Sequence, residues 1–96
     1  MSNKVLGSED IQRALQGLQG WTHRDDALER TFEFSDFSAA LGFIVRVGVE
    51  AERLNHHPEL HNVYSRVTLR LNSHDVGGKV TERDIRLARA IQRCVS

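Results

Sequence analysis

Asp36-Phe37-Ser38-Ala39-Ala40-Leu41-Gly42-Phe43-Ile44-Val45-Arg46-Val47-Gly48-Val49-Glu50-Ala51-Glu52-Arg53-Leu54-Asn55-His56-His57-Pro58 is the segment on which the fold turns. Phe37, Ala40, Leu41, Ile44, Val47 or Gly48, Ala51 and Leu54 recur at helical spacing and trace one apolar stripe. Ser35 and Asp36 are both suited to cap its start. Pro58 forbids further helix and pushes His57 into an extended conformation. The spacing therefore predicts a helix from about Asp36 to Leu54. Phe43, Val45 and Val49 fall off the stripe, which makes the helix apolar almost all round. Such a helix is either sandwiched within its own domain or shares its second face with another subunit. Phe43, Val45 and Val49 are the candidate interface residues.

On the N-terminal side, Leu28, Phe32 and Phe34 alternate with Glu29, Thr31 and Glu33, the pattern of a half-buried strand. Arg30 interrupts its apolar face and is expected near an edge or a pocket. Trp21 to His23 reads as a short strand, with a turn at Asp25-Asp26. Earlier still, Ser8 as N-cap, acidic Glu9 and Asp10, and Ile11, Ala14, Leu15 and Leu18 at helical spacing predict a first helix. Gly17 weakens that helix and Gly20 ends it, while residues 1–7 read as flexible.

On the C-terminal side, Leu60 to Tyr64 reads as a strand, followed by a tight turn near Ser65-Arg66 and a second strand. There Val67, Leu69 and Leu71 face inward and Thr68, Arg70 and Asn72 outward. Asn72 to Lys79 is a loop with two glycines, able to bring backbone N–H groups close to a ligand. Thr81 caps the last helix, with Asp84 at the capping-box position and Val80 placed to staple Ile85. Ile85, Ala88, Ile91 and Val95 form its buried face. The order is α-β-β-α-β-β-α, an α+β fold with a four-stranded antiparallel sheet and three helices packed on one face.

The bulk numbers agree with one domain over residues 1–96. The chain is 40% hydrophobic and 27% charged, which is ordinary for a globular protein. Thirteen basic residues balance thirteen acidic ones, so no electrostatic footprint for nucleic acid or an anionic membrane is present. No stretch approaches membrane-spanning length or the apolar run of a signal peptide. Cys94 is the only cysteine, which excludes an internal disulfide. The expected location is cytoplasmic. Arg83, Arg86, Arg89 and Arg93 run along the last helix and read as a solvated face offset by Glu82 and Asp84.

The chemistry concentrates in the histidines. His56 and His57 are adjacent at a helix end, and His74 follows one hairpin later. Imidazole is the side chain whose unperturbed pKa lets it give and take protons near neutrality. Taken alone, paired histidines after a helix are commonly just solvated residues favoured by the helix dipole. The full constellation is Glu52, three residues, His56-His57-Pro58, five residues, Tyr64, nine residues, His74, then Asp84. A metal site built from His57, His61 and His74 matches no common zinc spacing, so no metal ligands are assigned.

The phrases Leu54-Asn55-His56-His57-Pro58-Glu59, Asn62-Val63-Tyr64, Ser73-His74-Asp75 and Thr81-Glu82-Arg83-Asp84 resemble the pterin-4a-carbinolamine dehydratase family. Gly20-Trp21 and Phe32-Glu33-Phe34 fit as well, so the resemblance covers nearly the whole domain. Leu60 stands where many members carry an aromatic residue, His61 occupies a variable position, and Lys79 reads as an insertion in the loop after His74.

That resemblance implies loss of water from a 4a-hydroxytetrahydropterin, recycling the pterin cofactor of aromatic amino acid hydroxylases. It implies no metal or redox cofactor. By the resemblance, His56 and His74 are acid catalysts and His57 mainly holds substrate. Glu52 orients an imidazole or meets the pterin, and Asn55 and the backbone from Ser73 to Asp75 contact it. The implied partners are a second copy of the chain, as homodimer or homotetramer, and a hydroxylase or another protein. The alternative within the same family is a non-catalytic dimerisation or assembly cofactor, distinguished by loss of the histidines that this chain retains.

Overall fold

The computed structural model describes residues 4–95. The elements are α1 (Ser8–Leu15), β1 (Thr22–Arg24), β2 (Ala27–Glu33), α2 (Phe37–Leu54), β3 (Glu59–Val63), β4 (Arg66–Leu71), a 3-10 turn (His74–Val76) and α3 (Glu82–Arg93). This is the predicted α-β-β-α-β-β-α order. The sheet runs β1-β2-β4-β3 and every neighbouring pair is antiparallel. Asp25 and Asp26 both take positive φ (51° and 63°), which joins β1 to β2 by the tight turn whose twist suits a hairpin.

One face of the sheet is covered. Leu28 pairs opposite Leu71 and Phe32 opposite Val67, and these side chains with Leu69 are buried against the helices. From α2 come Ala40, Phe43, Val47 and Ala51, and from α3 Ile85, Leu87, Ala88 and Ile91. The Phe43 ring lies 4.7 Å from that of Phe32 and 4.9 Å from that of Phe34. Burying a phenylalanine in this way contributes about 1.5–3 kcal/mol. The other sheet face carries Thr31 hydrogen-bonded to Thr68, and Arg70 paired with Glu29 and Glu59.

Several expectations shift. Phe43 is a core residue and not an interface candidate, because the strand aromatics Phe32 and Phe34 select its side of α2. Conversely Phe37 and Leu41, expected to be buried, join Val45 and Val49 on an exposed face. Val95, expected on the buried face of α3, is also exposed, since the helix ends at Arg93. Ser8 lies inside α1, with Gly7 at the cap position and no side-chain cap. That helix closes at Leu15, and bonds spanning three residues at Gln16, Gly17 and Leu18 carry the chain to Gly20. Tyr64 (φ 53°) belongs to the β3–β4 turn rather than to the strand.

Arg30 sits on β2, an interior strand, and not at an edge. Its guanidinium lies 4.3 Å from the Phe32 ring centre and donates to Gln92 and to the Gln19 carbonyl. Gly20 (φ 89°) leaves room for it, since a Cβ there would come within 2.8 Å of Arg30 Nε. Val5 forms a β-bridge with Thr81 and the Leu6 N–H donates to Val80, so this part of the expected loose start is tied down. Residues 1–3 lie outside the described residues. Among the described residues, no helix is long and apolar enough to cross a membrane.

Candidate active site

Asn55, three residues before Pro58, is what ends α2. It takes the left-handed conformation (φ 52°, ψ 43°), its N–H donates to the Glu52 carbonyl, and the His56 N–H donates to the Ala51 carbonyl. These two bonds are the Schellman closure, in which asparagine serves next best after glycine. The reversal sends the adjacent histidines apart. His56 turns inward, with its side chain 11% exposed, whereas the His57 side chain is 62% exposed.

A second segment arrives from β4. After Leu71 the chain folds on itself, with Ser73 N–H donating to the Lys79 carbonyl and the Val76 and Gly78 N–H groups donating to the Ser73 carbonyl. Gly77 and Gly78 supply the positive φ values (78° and 73°) that this loop needs. His74 is exposed on its 3-10 turn. Lys79, the residue read as an insertion, reaches Asp26 of the β1–β2 hairpin at 2.8 Å.

Between the two segments lies a cleft of about 440 Å³. Asn55, His56, His57, Pro58 and Glu59 line one side, and Asn72, His74 and Asp75 the other. Five residues singled out from the sequence thus meet there: Asn55, His56, His57, His74 and Asp75. Two others stand elsewhere. Glu52 is outside the lining, with its carboxylate 2.9 Å from His57 Nε2, so the imidazole it meets is that of His57. Ser73 is fully buried behind the wall, and both its backbone groups are used within the loop.

What the sequence reading missed is the buried support behind His56. Asp84 is wholly buried, and its Oδ1 lies 2.5 Å from His56 Nε2. Its Oδ2 accepts from the Ser73 hydroxyl and from the Thr81 N–H, both at 2.9 Å. The Ser73 hydroxyl in turn meets the Thr81 hydroxyl at 2.8 Å. The capping box on α3 is present as expected, and the same carboxylate that completes it also holds an imidazole. Asp84 closes the histidine constellation in the sequence, but the only role its position offered there was the local one of a helix cap. Among the described residues no group of three or more His, Cys, Asp or Glu side chains is placed to hold a metal ion. His61 lies on β3 opposite Thr68, on the uncovered sheet face.

Two carboxyls near this region are held below their ordinary value of 3.8. Hydrogen bonding from Arg83 does this to Asp75, and hydrogen bonding from Lys79 does it to Asp26. A folded-state pKa below the unfolded one adds stability above the unfolded value, and that stability is lost as pH falls through the folded value. The double variant Asp26→Asn/Asp75→Asn is therefore expected to have a lower urea midpoint than the parent at about pH 6. The gap should close as pH drops below the ordinary aspartate value of about 3.9. Urea titrations across that range check this, and a gap that widened in acid would contradict it.

The family model described as pterin 4 alpha carbinolamine dehydratase matches residues 4–94. A protein of Opitutus terrae is 53% identical over 93% of this chain and 92% of its own length, and one of Rhizobium etli is 45% identical over 100% and 96%. Both carry the name "Putative pterin-4-alpha-carbinolamine dehydratase". A crystal structure from Brucella melitensis, titled as a transcriptional coactivator/pterin dehydratase, superposes with a TM-score of 0.91 at 39% identity. The match covers 97% of this chain and 100% of that one.

Proposed function

Since the chain belongs to the pterin-4a-carbinolamine dehydratase family, we propose that it removes water from a 4a-hydroxytetrahydropterin by histidine acid–base catalysis. The product is the quinonoid dihydropterin, and the role is to recycle the pterin cofactor of aromatic amino acid hydroxylases in the cytoplasm. The observation that carries the reading is that His56 and His74, from two separate segments, line one cleft with His56 backed by a buried carboxylate.

The reaction breaks the C4a–O bond and the neighbouring ring N–H bond, and a C=N double bond forms between those ring atoms. The hydroxyl leaves as water after taking a proton, and the ring nitrogen gives one up, so acid and base are both required near neutrality. The Thr81 N–H can only donate, which fixes Asp84 Oδ2 as an acceptor. With Asp84 a carboxylate, His56 carries its hydrogen on Nε2, leaving Nδ1 as the nitrogen that exchanges protons with substrate. His74 is the second acid, and His57, steadied by Glu52, holds substrate together with Asn55 and the backbone at Asp75. The deciding assay follows water loss from a 4a-hydroxytetrahydropterin generated in situ. Turnover no faster than the spontaneous reaction would sink the reading.

The exposed face of α2 favours an additional, protein-binding role. Phe37, Leu41, Val45 and Val49 succeed one another at four-residue intervals and are 43–65% exposed. An apolar row of this kind on a small domain marks an interaction surface. The chain is at least a homodimer by this reading, and Val45→Glu/Val49→Glu should lower its mass in solution. Light scattering at micromolar concentration checks this, and a monomeric parent would remove the idea.

A further inference from the structure

We propose that Arg83 is a positioning residue, tying the turn that carries His74 to the wall that holds His56. The inference rests on the dehydratase reading and adds to it a residue outside the cleft lining. In the sequence Arg83 opens a row of arginines, and a surface pair at such a place contributes little. Its surroundings differ from that expectation. The Arg83 side chain is only 19% exposed, and its two terminal nitrogens reach the two oxygens of Asp75 at 2.8 and 3.2 Å. This bidentate fork fixes both the place and the tilt of the carboxylate, which a lysine ammonium does not do. Asp75 follows His74 directly on the 3-10 turn.

The third nitrogen points the other way. Arg83 Nε donates to the Thr81 hydroxyl oxygen at 3.3 Å, and the Arg83 backbone N–H donates to the same oxygen at 3.2 Å. From Thr81 the contacts run to the Ser73 hydroxyl, to Asp84 and to His56. One guanidinium thus touches the residue beside one histidine and the hydroxyl chain behind the other. The His74 turn has a particular need of such a tie. It is three residues long and is followed by two glycines at positive φ, a segment with little stiffness of its own.

The test uses the full chain as parent, Arg83→Gln, Arg83→Lys, Asp75→Asn and the Arg83→Gln/Asp75→Asn pair. Hydrogen exchange at the amides of Val76, Gly77 and Gly78, which close the turn, should be several-fold faster in Arg83→Gln. The value of kcat should fall about ten- to a hundredfold, the scale of a small misplacement of a reacting group. Arg83→Lys should recover part of this only, and the pair should be no worse than Arg83→Gln, because both changes cut one contact. If Arg83→Gln fails to fold, Asp75→Asn leaves the α3 cap untouched and should show the same faster exchange.

Parent-like exchange in both Arg83→Gln and Asp75→Asn overturns the tie. Faster exchange with parent kcat overturns its role in the reaction. If the parent itself does not dehydrate pterin, the functional reading falls, and the exchange data still decide whether Arg83 holds the turn.

Discussion

Dehydration of both C4a epimers is expected to fall to the spontaneous rate in the His56→Ala/His74→Ala double variant. General acid catalysis is worth roughly a hundred- to ten-thousand-fold, so the loss is large. The single variants should separate the two groups. His56 and His57 diverge at the close of α2, whereas His74 enters the same cleft from the loop after β4. Two acids on different segments suit opposite faces of the ring, so each single variant should slow one epimer far more than the other. His57→Ala should instead raise KM, since it removes binding shared by ground and transition states. Single-turnover kinetics on each epimer reads all four proteins. Parent-rate turnover of either epimer by the double variant would exclude this division of roles.

Asp84→Asn is expected to produce the second-largest effect. An amide in this place keeps its oxygen toward the Ser73 hydroxyl and the Thr81 N–H, which are donors, and so turns its NH2 toward His56. The imidazole must then accept at Nε2, and its hydrogen moves to the nitrogen that the reaction uses. Reversal of a tautomer in a comparable His–Asp pair costs on the order of ten-thousand-fold in kcat. A fall of at least about a hundredfold is expected here. Asp84→Ala should add instability, because it strands buried donors at about 1–3 kcal/mol each. Denaturation curves separate the effects, with Asp84→Asn close to the parent and Asp84→Ala well below it. An Asp84→Asn protein with parent kcat would show that the carboxylate serves the helix cap alone.

Much of the fold was legible because its determinants are local. The Thr81–Asp84 box spans four residues, the Asp25-Asp26 turn two, and the alternation of Val67, Leu69 and Leu71 needs only the period of a strand. The histidine pair was likewise visible, since Leu54-Asn55-His56-His57-Pro58 both ends a helix and, from Asn55 on, lines the cleft. By itself, then, the sequence determined the order of elements, the caps at Asp36 and Thr81, and the cluster of imidazoles.

Tertiary structure decided the rest, and each case involves a choice between equals or a distant partner. Helix α2 is apolar on two sides, so its periodicity places Ala40, Val47 and Ala51 inward but does not choose between Phe43 and the side of Phe37 and Leu41. The rings of Phe32 and Phe34 make that choice by drawing Phe43 inward and leaving Phe37 and Leu41 outside. From the sequence, Asp84 reads as a cap residue and Ser73 as a loop residue whose backbone contacts the pterin, and neither role involves the other side chain. Their contacts with each other and with His56, 28 residues from Asp84, arise only when α3 packs beside the end of α2. A carboxylate has lone pairs for a helix cap and an imidazole at once, and only the packed chain brings the second donor to it.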